Sequence, residues 1–389
     1  MIPRSLVILG STGSIGRSTL DVVRRHPDRF TLRGLAAYGN VELLTAQYRE
    51  FRPEYVCIVN REKTPELKSA LAGEPVRILA GEDELLTLVA LREVEIVVNA
   101  VVGAAGLKAS LETVRLGKQL ALANKESLVT GGPLFAPIIE QSKAQILPID
   151  SEHSAVWQAM LAGRPSEIRS IILTASGGPF RELPLEQLAG VTVEQALAHP
   201  TWKMGAKITI DSATMANKGL EIIEAATLFG IEPDKIKVLI HPQSVIHSMV
   251  EFIDSSVVAQ LSRPDMRLPI SYALFWPERV VSEFGRVNWR ELKSLTFELP
   301  DYQKFPLVKL AYEAAREGGT MPAVYNAANE IAVAAFLRQR IRFTEIADIV
   351  QTTVSAMTAV KEPTLEEIME ADRAARDAAR KHTERAACW

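Results

Sequence analysis

Through the amino-terminal part of the chain, short apolar runs alternate with segments whose apolar residues return every third or fourth place. Residues 6–9, 32–36, 55–59, 77–79, 95–100 and 120–123 read as strands, and 41–51, 64–72 and 82–91 as the helices between them. Near-continuous apolar strands separated by amphipathic helices are the pattern of an open parallel sheet, buried on both faces. A further short strand is expected at 143–147.

Beyond residue 155 the rhythm changes. Strands are expected at 171–175, 208–211 and 238–240, with a helix at 220–229. Prolines 264, 269 and 277 interrupt the helical pattern that follows, and 288–301 has too little periodicity for either element. From there four helices are expected, at 307–317, 323–339, 343–357 and 365–385, joined by loops short enough for a bundle. The fold expected is α/β: an N-terminal Rossmann-like parallel sheet, a central α/β catalytic domain and a C-terminal α-helical bundle. The boundaries that follow are 1–149, 150–285, a linker at 286–305, and 306–389.

The chain has 389 residues, 47% of them apolar and 23% charged, with a formal net charge of -3. Two or three domains with ample core fit that length. The charge gives no reason to expect a nucleic-acid or acidic-membrane partner. No apolar run reaches the ~18 residues of a membrane span. Polar Ser11 and Thr12 interrupt the first apolar run, so no secretory leader is expected. Two cysteines, Cys57 and Cys388, cannot form a disulfide framework. A cytoplasmic protein is the expectation.

The chemistry-bearing residues fall at strand ends. Strand 6–9 runs into Gly10, Gly13 and Gly16 and then a helical pattern, the order of a nucleotide-binding βα unit with a helix N-terminus facing a pyrophosphate. No acid stands at the end of the second strand, Ala37-Tyr38-Gly39-Asn40, which favours NADP(H) over NAD(H) by absence. Asn124-Lys125-Glu126-Ser127 follows the strand at 120–123, and Lys125 is either a surface charge on a capped helix or a cation beside nicotinamide and substrate. Asp150 and Glu152, two apart, would share one side of an extended backbone, and paired hard oxygens suit Mg²⁺ or Mn²⁺. Further on, Ser176-Gly177-Gly178 offers a hydroxyl and backbone N–H groups to an anion. Trp202, between Pro200 and Gly205 in a polar loop, packs as an anchor or closes over a ligand. Ser212, Asn217 and Lys218 gather at the opening of a helix, a phosphate-type site. Glu221 and Glu224 share a helix face, and either could complete a metal set. His199 is the best functional candidate among the histidines; His241 and His247 read as structural.

Taken together, Gly10–Gly16, Asn124–Ser127, Asp150–Ser154, Ser176–Phe180, His199–Gly205, Ser212–Glu221 and His241–Met249 resemble the 1-deoxy-D-xylulose 5-phosphate reductoisomerase family over essentially the whole chain. The resemblance implies an NADPH-dependent enzyme of the non-mevalonate isoprenoid pathway, with Mg²⁺, Mn²⁺ or Co²⁺, working as a homodimer and inhibited by phosphonates of the fosmidomycin type. It implies Asp150, Glu152 and Glu221 as metal ligands. It places Lys125, Ser151, Glu152, Ser176, His199, Trp202, Met204, Ser212, Asn217, Lys218 and Glu221 around the sugar phosphate. Thr12, Gly13, Ser14, Ile15, Gly39, Asn40, Asn124, Glu126 and Gly205 would touch NADPH, and 199–207 would be a flap. Catalysis is expected from Lys125, Asp150, Glu152, His199 and Glu221. Members of that family commonly carry a basic residue where this chain has Gly39; Arg61, after the third strand, could take its place.

Two other readings compete. A semialdehyde or sugar-phosphate dehydrogenase shares the glycine pattern, but its thioester-forming version needs a cysteine after the cofactor domain, and none stands between Cys57 and Cys388. An NADPH-sensing regulator with a dead site would lack an acid of the metal set, and all three are present.

Overall fold

The computed structural model describes residues 2–202 and 204–386. In chain order the first elements are β1 Arg4–Leu9, α1 Ser14–Arg25, β2 Phe30–Ala37, α2 Val41–Phe51, β3 Tyr55–Ile58, α3 Thr64–Ala70, β4 Arg77–Ala80, α4 Glu84–Ala90, β5 Ile96–Asn99, α5 Leu107–Arg115, β6 Gln119–Leu122, α6 Lys125–Gln141 and β7 Gln145–Pro148. Then come α7 Ser151–Met160, β8 Ile168–Ala175, α8 Val193–Leu197, α9 Ala206–Ala213, α10 Ala216–Phe229, β9 Ile236–Ile240, β10 Ile246–Phe252, β11 Val257–Leu261 and α11 Arg267–Phe275. The last are α12 Pro306–Glu317, α13 Met321–Leu337, α14 Glu345–Ser355 and α15 Leu365–Ala386. Lys203 and Cys388 lie outside the described residues. None of the helices among the described residues is long and apolar enough to cross a membrane.

The chain divides into two compact units. The first comprises Met1–Ser127, Phe135–Ser154 and Asp265–Phe284. Its seven strands form one sheet in the order β4-β3-β2-β1-β5-β6-β7, every neighbouring pair parallel. The order reverses between β1 and β5, which leaves a crevice at the carboxyl ends of those strands. Val7, Leu9, Ala36, Cys57 and Val97 join Leu88 of α4 in the core on one face, and Leu6, Ile8, Leu35, Val56 and Val98 are buried as well, so these strands are apolar without alternation.

The second unit comprises Leu128–Leu134, Ala155–Pro264 and Gly285–Trp389. It holds a four-stranded sheet in the order β11-β10-β8-β9, with β8 and β9 parallel and the other pairs antiparallel. Helix α10 packs its Ile222 and Ala225 against Ile171, Leu173 and Val238 of this sheet. Its Leu220 and Ile223 join the core of α12, α13 and α14 on the other side. The four expected carboxyl-terminal helices are present.

Three expectations need correction. Residues 208–211 are not a strand but part of α9: Ile210 and Ala213 point into the bundle core, and Lys207 and Asp211 pair at i, i+4. Tertiary packing there overrides the β-propensity of Ile-Thr-Ile. Asp150 and Glu152 do not share an extended strand, because β7 ends at Pro148 and Asp150 accepts from the backbone N–H of Glu152 (3.2 Å) at the start of α7. The strands β10 and β11 lie in a stretch where no strand was expected; His247, Ser248 and Glu251 interrupt the apolar pattern of β10.

Candidate active site

In the first unit the candidate site is the carboxyl edge of the parallel sheet. Gly10 takes φ +85°, and a Cβ on it would stand 2.5 Å from the carbonyl oxygen of Ala100. A Cβ on Gly16 would stand 2.3 Å from Gly10's carbonyl oxygen, so the first and third glycines let the turn close on itself. Gly13 is the N-cap of α1 with no side-chain cap, leaving the first N–H groups of that helix to a ligand such as a phosphate. Thr12, Ser14 and Ile15 stand around it, none of them buried. The turn is locked by a reciprocal pair: the Ser11 hydroxyl donates to Gln47 Oε1 (2.8 Å) and the Gln47 amide donates to the Ser11 carbonyl (2.9 Å).

Gly39 and Asn40 follow β2, with Asn40 capping α2 through a bond from Leu43 N–H (3.0 Å). Two large apolar side chains stand in solvent at this edge: Tyr38, 73% exposed after β2, and Val102, 75% exposed after β5. Neither was singled out from the sequence; only the topology shows that they flank the crevice.

The ends of β5 and β6 are joined by a buried network. Asn99 donates to Gly106 O (2.9 Å) and Ser110 Oγ (2.7 Å), and Ser110 donates to Ser127 Oγ (3.2 Å). Asn124 donates to Gly103 O (2.8 Å) and Glu126 Oε2 (3.0 Å) and accepts from Ser127. A Cβ on Gly106 would stand 2.5 Å from Asn124 Oδ1, so only glycine admits this contact. Asn124 and Glu126 therefore arrive at the edge already oriented.

The next residue, Lys125, is buried, and its Nζ lies 2.6 Å from Asp150 Oδ2. His153, wholly buried, brings Nδ1 to 3.2 Å from Asp150 Oδ1. Burial alone would push the Asp150 carboxyl up; the Lys125 ammonium and His153 outweigh it and hold the group well below the usual carboxylate range. Asp150 is thus an ionised hard donor. Ser151 donates to Glu152 Oε2 (2.5 Å), and both are half-buried. The role of His153 was not anticipated, since spacing along the chain does not reveal an i, i+3 contact until the helix start is known.

In the second unit the candidate site forms around the loop after β8 and the start of α10. Gly177 and Gly178 take φ +85° and +68°, and a Cβ on Gly178 would stand 2.6 Å from the carbonyl oxygen of Ser212. That approach sets Ser176 beside the end of α9. The Ser176 hydroxyl oxygen accepts from Gly178 N–H (3.2 Å) and lies 3.1 Å from His199 Nε2. His199 Nδ1 accepts from the N–H groups of Thr201 (3.1 Å) and Trp202 (2.9 Å). The ring proton therefore sits on Nε2 and donates to Ser176, whose own proton is left for a ligand oxygen. Burial lowers the His199 pKa, favouring the neutral ring that this arrangement needs.

Helix α10 begins at Ala216, earlier than expected, so Asn217 and Lys218 lie in its first turn. Asn217 donates to Glu221 Oε1 (2.6 Å), and the buried Lys218 ammonium pairs with Glu221 Oε2. Glu221 is almost fully buried, as is Glu224 a turn later. Trp202 lies on the loop with its ring centroid 6.3 Å from that of His247; Met204 is half-buried, and Gly205 is the N-cap of α9 with open space where a Cβ would be. The expected flap ends in a helix, since Lys207 belongs to α9. Its Nζ lies 2.5 Å from Asp211 Oδ2, and Asn329 of α13 donates to Asp211 Oδ1 (2.9 Å). His241 is held by Thr296 O (2.9 Å at Nδ1) and stacks on Phe297.

Three family descriptions match this chain. Residues 6–132 match 1-deoxy-D-xylulose 5-phosphate reductoisomerase, 146–229 its C-terminal domain, and 261–378 the DXP reductoisomerase C-terminal domain. The 1-deoxy-D-xylulose 5-phosphate reductoisomerase of Chlorobium chlorochromatii (strain CaD3) is 52% identical over 377 residues, 97% of this chain and 99% of that protein. That of Chlorobium phaeobacteroides (strain DSM 266 / SMG 266 / 2430) is 53% identical over 383 residues, 98% of this chain and 100% of that one. Among solved structures, the Zymomonas mobilis enzyme in complex with NADPH superposes with TM-score 0.92 at 45% identity, covering 98% of this chain and 99% of that one. A DOX-P reductoisomerase in complex with NADPH, fosmidomycin and magnesium gives 0.93 at 41%, covering 98% of each.

Proposed function

From the premise that this chain belongs to the 1-deoxy-D-xylulose 5-phosphate reductoisomerase family, we propose how its own residues carry that family's reaction. The enzyme rearranges 1-deoxy-D-xylulose 5-phosphate and reduces the product with NADPH to 2-C-methyl-D-erythritol 4-phosphate, a step of non-mevalonate isoprenoid precursor synthesis. It takes a divalent metal, magnesium in the solved relatives, and phosphonate inhibitors of the fosmidomycin type.

The observation that carries the reading is the ionised Asp150, held by Lys125 at the carboxyl edge of a dinucleotide-type sheet. We assign the metal to the carboxylates of Asp150, Glu152 and Glu221, whose hard oxygens fit Mg²⁺ or Mn²⁺, with Co²⁺ as a further candidate. When bound, the ion would polarise the ketone as a Lewis acid and NADPH would supply the hydride. Lys125 orients Asp150 and presents a cation to the sugar hydroxyls. Ser151 holds Glu152 in place. Ser176, Ser212, Asn217 and Lys218 take the phosphate, His199 keeping the Ser176 hydroxyl aimed outward.

That phosphate is remote from the reacting carbons, so its binding energy can orient the sugar and draw in the loop. Trp202 and Met204 on that loop would exclude water from the reacting centre. Thr12, Gly13, Ser14 and Ile15 would meet the pyrophosphate at α1, with Gly39 and Asn40 at the adenosine ribose and Asn124, Glu126 and Gly205 toward the nicotinamide.

We also read the functional segments as 1–149, 150–285, 286–305 and 306–389, the enzyme as cytoplasmic, and the assembly as a homodimer. The unpaired, buried Cys57 thiol supports the location.

The test is NADPH oxidation by the purified protein with 1-deoxy-D-xylulose 5-phosphate and Mg²⁺ or Mn²⁺. Turnover dependent on both sugar phosphate and metal is expected; oxidation indifferent to either overturns the reading.

A further inference from the structure

In a parallel sheet of this type the carboxyl end of β2 faces the adenosine ribose. An acid there selects a free 2′-hydroxyl, and an arginine nearby accommodates a 2′-phosphate. No acid stands at Ala37-Tyr38-Gly39-Asn40. Cations reach this edge from the neighbouring turn instead. Residues Arg61–Lys63 form a single 3₁₀ turn after β3. The turn is tied to the end of β2 by Val59 N–H to Ala37 O (2.9 Å) and Asn60 N–H to Tyr38 O (2.7 Å). It is stiffened from within, because Asn60 Oδ1 accepts from Glu62 N–H (3.0 Å) and Asn60 O accepts from Lys63 N–H (3.0 Å).

Both cations of the turn have a defined course. A Cβ on Gly39 would lie 3.9 Å from Cγ of Lys63, so the Lys63 stem runs beside Gly39. Its ammonium pairs with Glu66 (2.9 Å), and both side chains are about half exposed, a weak pair that a dianionic ligand can replace. Arg61 lies against the turn after β4. A Cβ on Gly81, at φ +114°, would stand 2.5 Å from its Nη2 and 2.7 Å from its Cζ, so the guanidinium lies against the backbone of Gly81. Among the described residues no carboxylate pairs with Arg61. An exposed guanidinium seated on backbone, with its planar donor fork uncommitted, suits bidentate phosphate recognition.

We propose that the turn Arg61–Lys63 supplies the specificity-determining cations for the 2′-phosphate of NADPH in this chain, with Lys63 beside the side-chain-free Gly39 and Arg61 farther along against Gly81. The proposal rests on the cofactor reading above and names the residues that make the site selective.

The test measures equilibrium binding of NADPH, NADH and 2′,5′-ADP by titration calorimetry. The proteins are the full chain and its Arg61→Ala, Lys63→Ala and double variants. Both residues are exposed, so the variants should fold, which thermal melting checks. The double variant should lose about ten- to hundredfold in affinity for NADPH and 2′,5′-ADP with NADH unchanged, and the salt dependence of NADPH binding should flatten. Lys63→Ala alone should account for most of the loss. Parallel weakening of NADPH and NADH, unaltered NADPH affinity, or a parent protein that binds NADH as tightly as NADPH would each overturn the proposal. A parent protein that binds neither nucleotide would instead overturn the cofactor reading beneath it.

Discussion

Nζ of Lys125 stands 2.6 Å from Oδ2 of Asp150, with 6% and 10% of the two side chains exposed. Removing one member of such a pair leaves the other charge buried without compensation, which typically costs about 3–5 kcal/mol. Lys125→Met should destabilise the protein on that scale at neutral pH. The folded-state pKa of Asp150 is depressed, so its contribution is complete above the unfolded value, about 3.9, and is lost as pH falls toward the folded value. Urea unfolding from pH 7 down to pH 3 should show the gap between parent and variant largest near pH 7 and narrowing as pH falls. It narrows first as the unpaired Asp150 of the variant, pushed up by burial, takes up a proton, and further below about pH 4 as the parent loses its own contribution. A gap that widens on acidification would contradict the pairing.

Glu221→Gln and Asp150→Asn each remove an anionic oxygen assigned to the metal while touching no residue assigned to NADPH. Turnover should fall by at least about two orders of magnitude with NADPH affinity nearly unchanged. NADPH fluorescence titration beside the turnover assay separates the two. Comparable losses in both would show that these acids are not a distinct metal set.

Ser212→Ala combined with Lys218→Ala should lower kcat as well as raise KM for the sugar phosphate, because binding energy at the phosphate is used to orient the reacting carbons. A change in KM alone would reduce the phosphate to a uniform-binding handle.

His199 holds the loop start through two bonds accepted at Nδ1, and protonation there would break both. Its folded-state pKa is lowered by burial, so the unfolded or open form gains protons first as pH falls through about 6.5, and the closed arrangement loses stability below that value. Hydrogen exchange at the Thr201 and Trp202 amides, corrected for intrinsic rate, should keep its protection from pH 8 to 7 and lose it progressively below 6.5. Protection that grows on acidification would refute this tautomer.

Trp202→Ala should weaken fosmidomycin binding and slow turnover without shifting the melting temperature of the unliganded protein. Burying the indole against ligand removes ~150–250 Å² from water, opposed by ~1–2 kcal/mol for each loop residue ordered. Terms so nearly matched let ligand contacts decide the loop's state. Limited trypsin digestion gives a second check: inhibitor with metal should protect the chain after Lys207.

The alternation of strands and helices in the first unit could be read directly, because strands buried on both faces leave uninterrupted apolar runs such as Leu6–Leu9. The candidate phosphate residues could be picked out for a similar reason: Ser212, Asn217 and Lys218 are close in sequence, at the end of α9 and in the first turn of α10. What stayed hidden depended on contacts distant along the chain. Ile208-Thr209-Ile210 has the composition of a strand, and only the packing of Ile210 and Ala213 into the bundle makes it a helix. The geometry of Asp150 was misjudged although the signal was present, since an Asp followed by Ser and Glu is a helix N-cap pattern. Tyr38 and Val102 carry no signal at all until the sheet order puts their strand ends beside the crevice.

Asp211 and Asn329 carry one more implication, for anyone wishing to shorten this chain. The helix that leads out of the Trp202 loop is moored by Asn329 of α13 on Asp211, a carboxylate 1% exposed. Trimming the protein ahead of residue 306 would strip that amide away and uncover the apolar flank of α10 at once. The carboxyl-terminal helices are a foundation under the loop and not a detachable appendix, so a minimal catalytic fragment lacking them should collapse in the very segment it was meant to preserve.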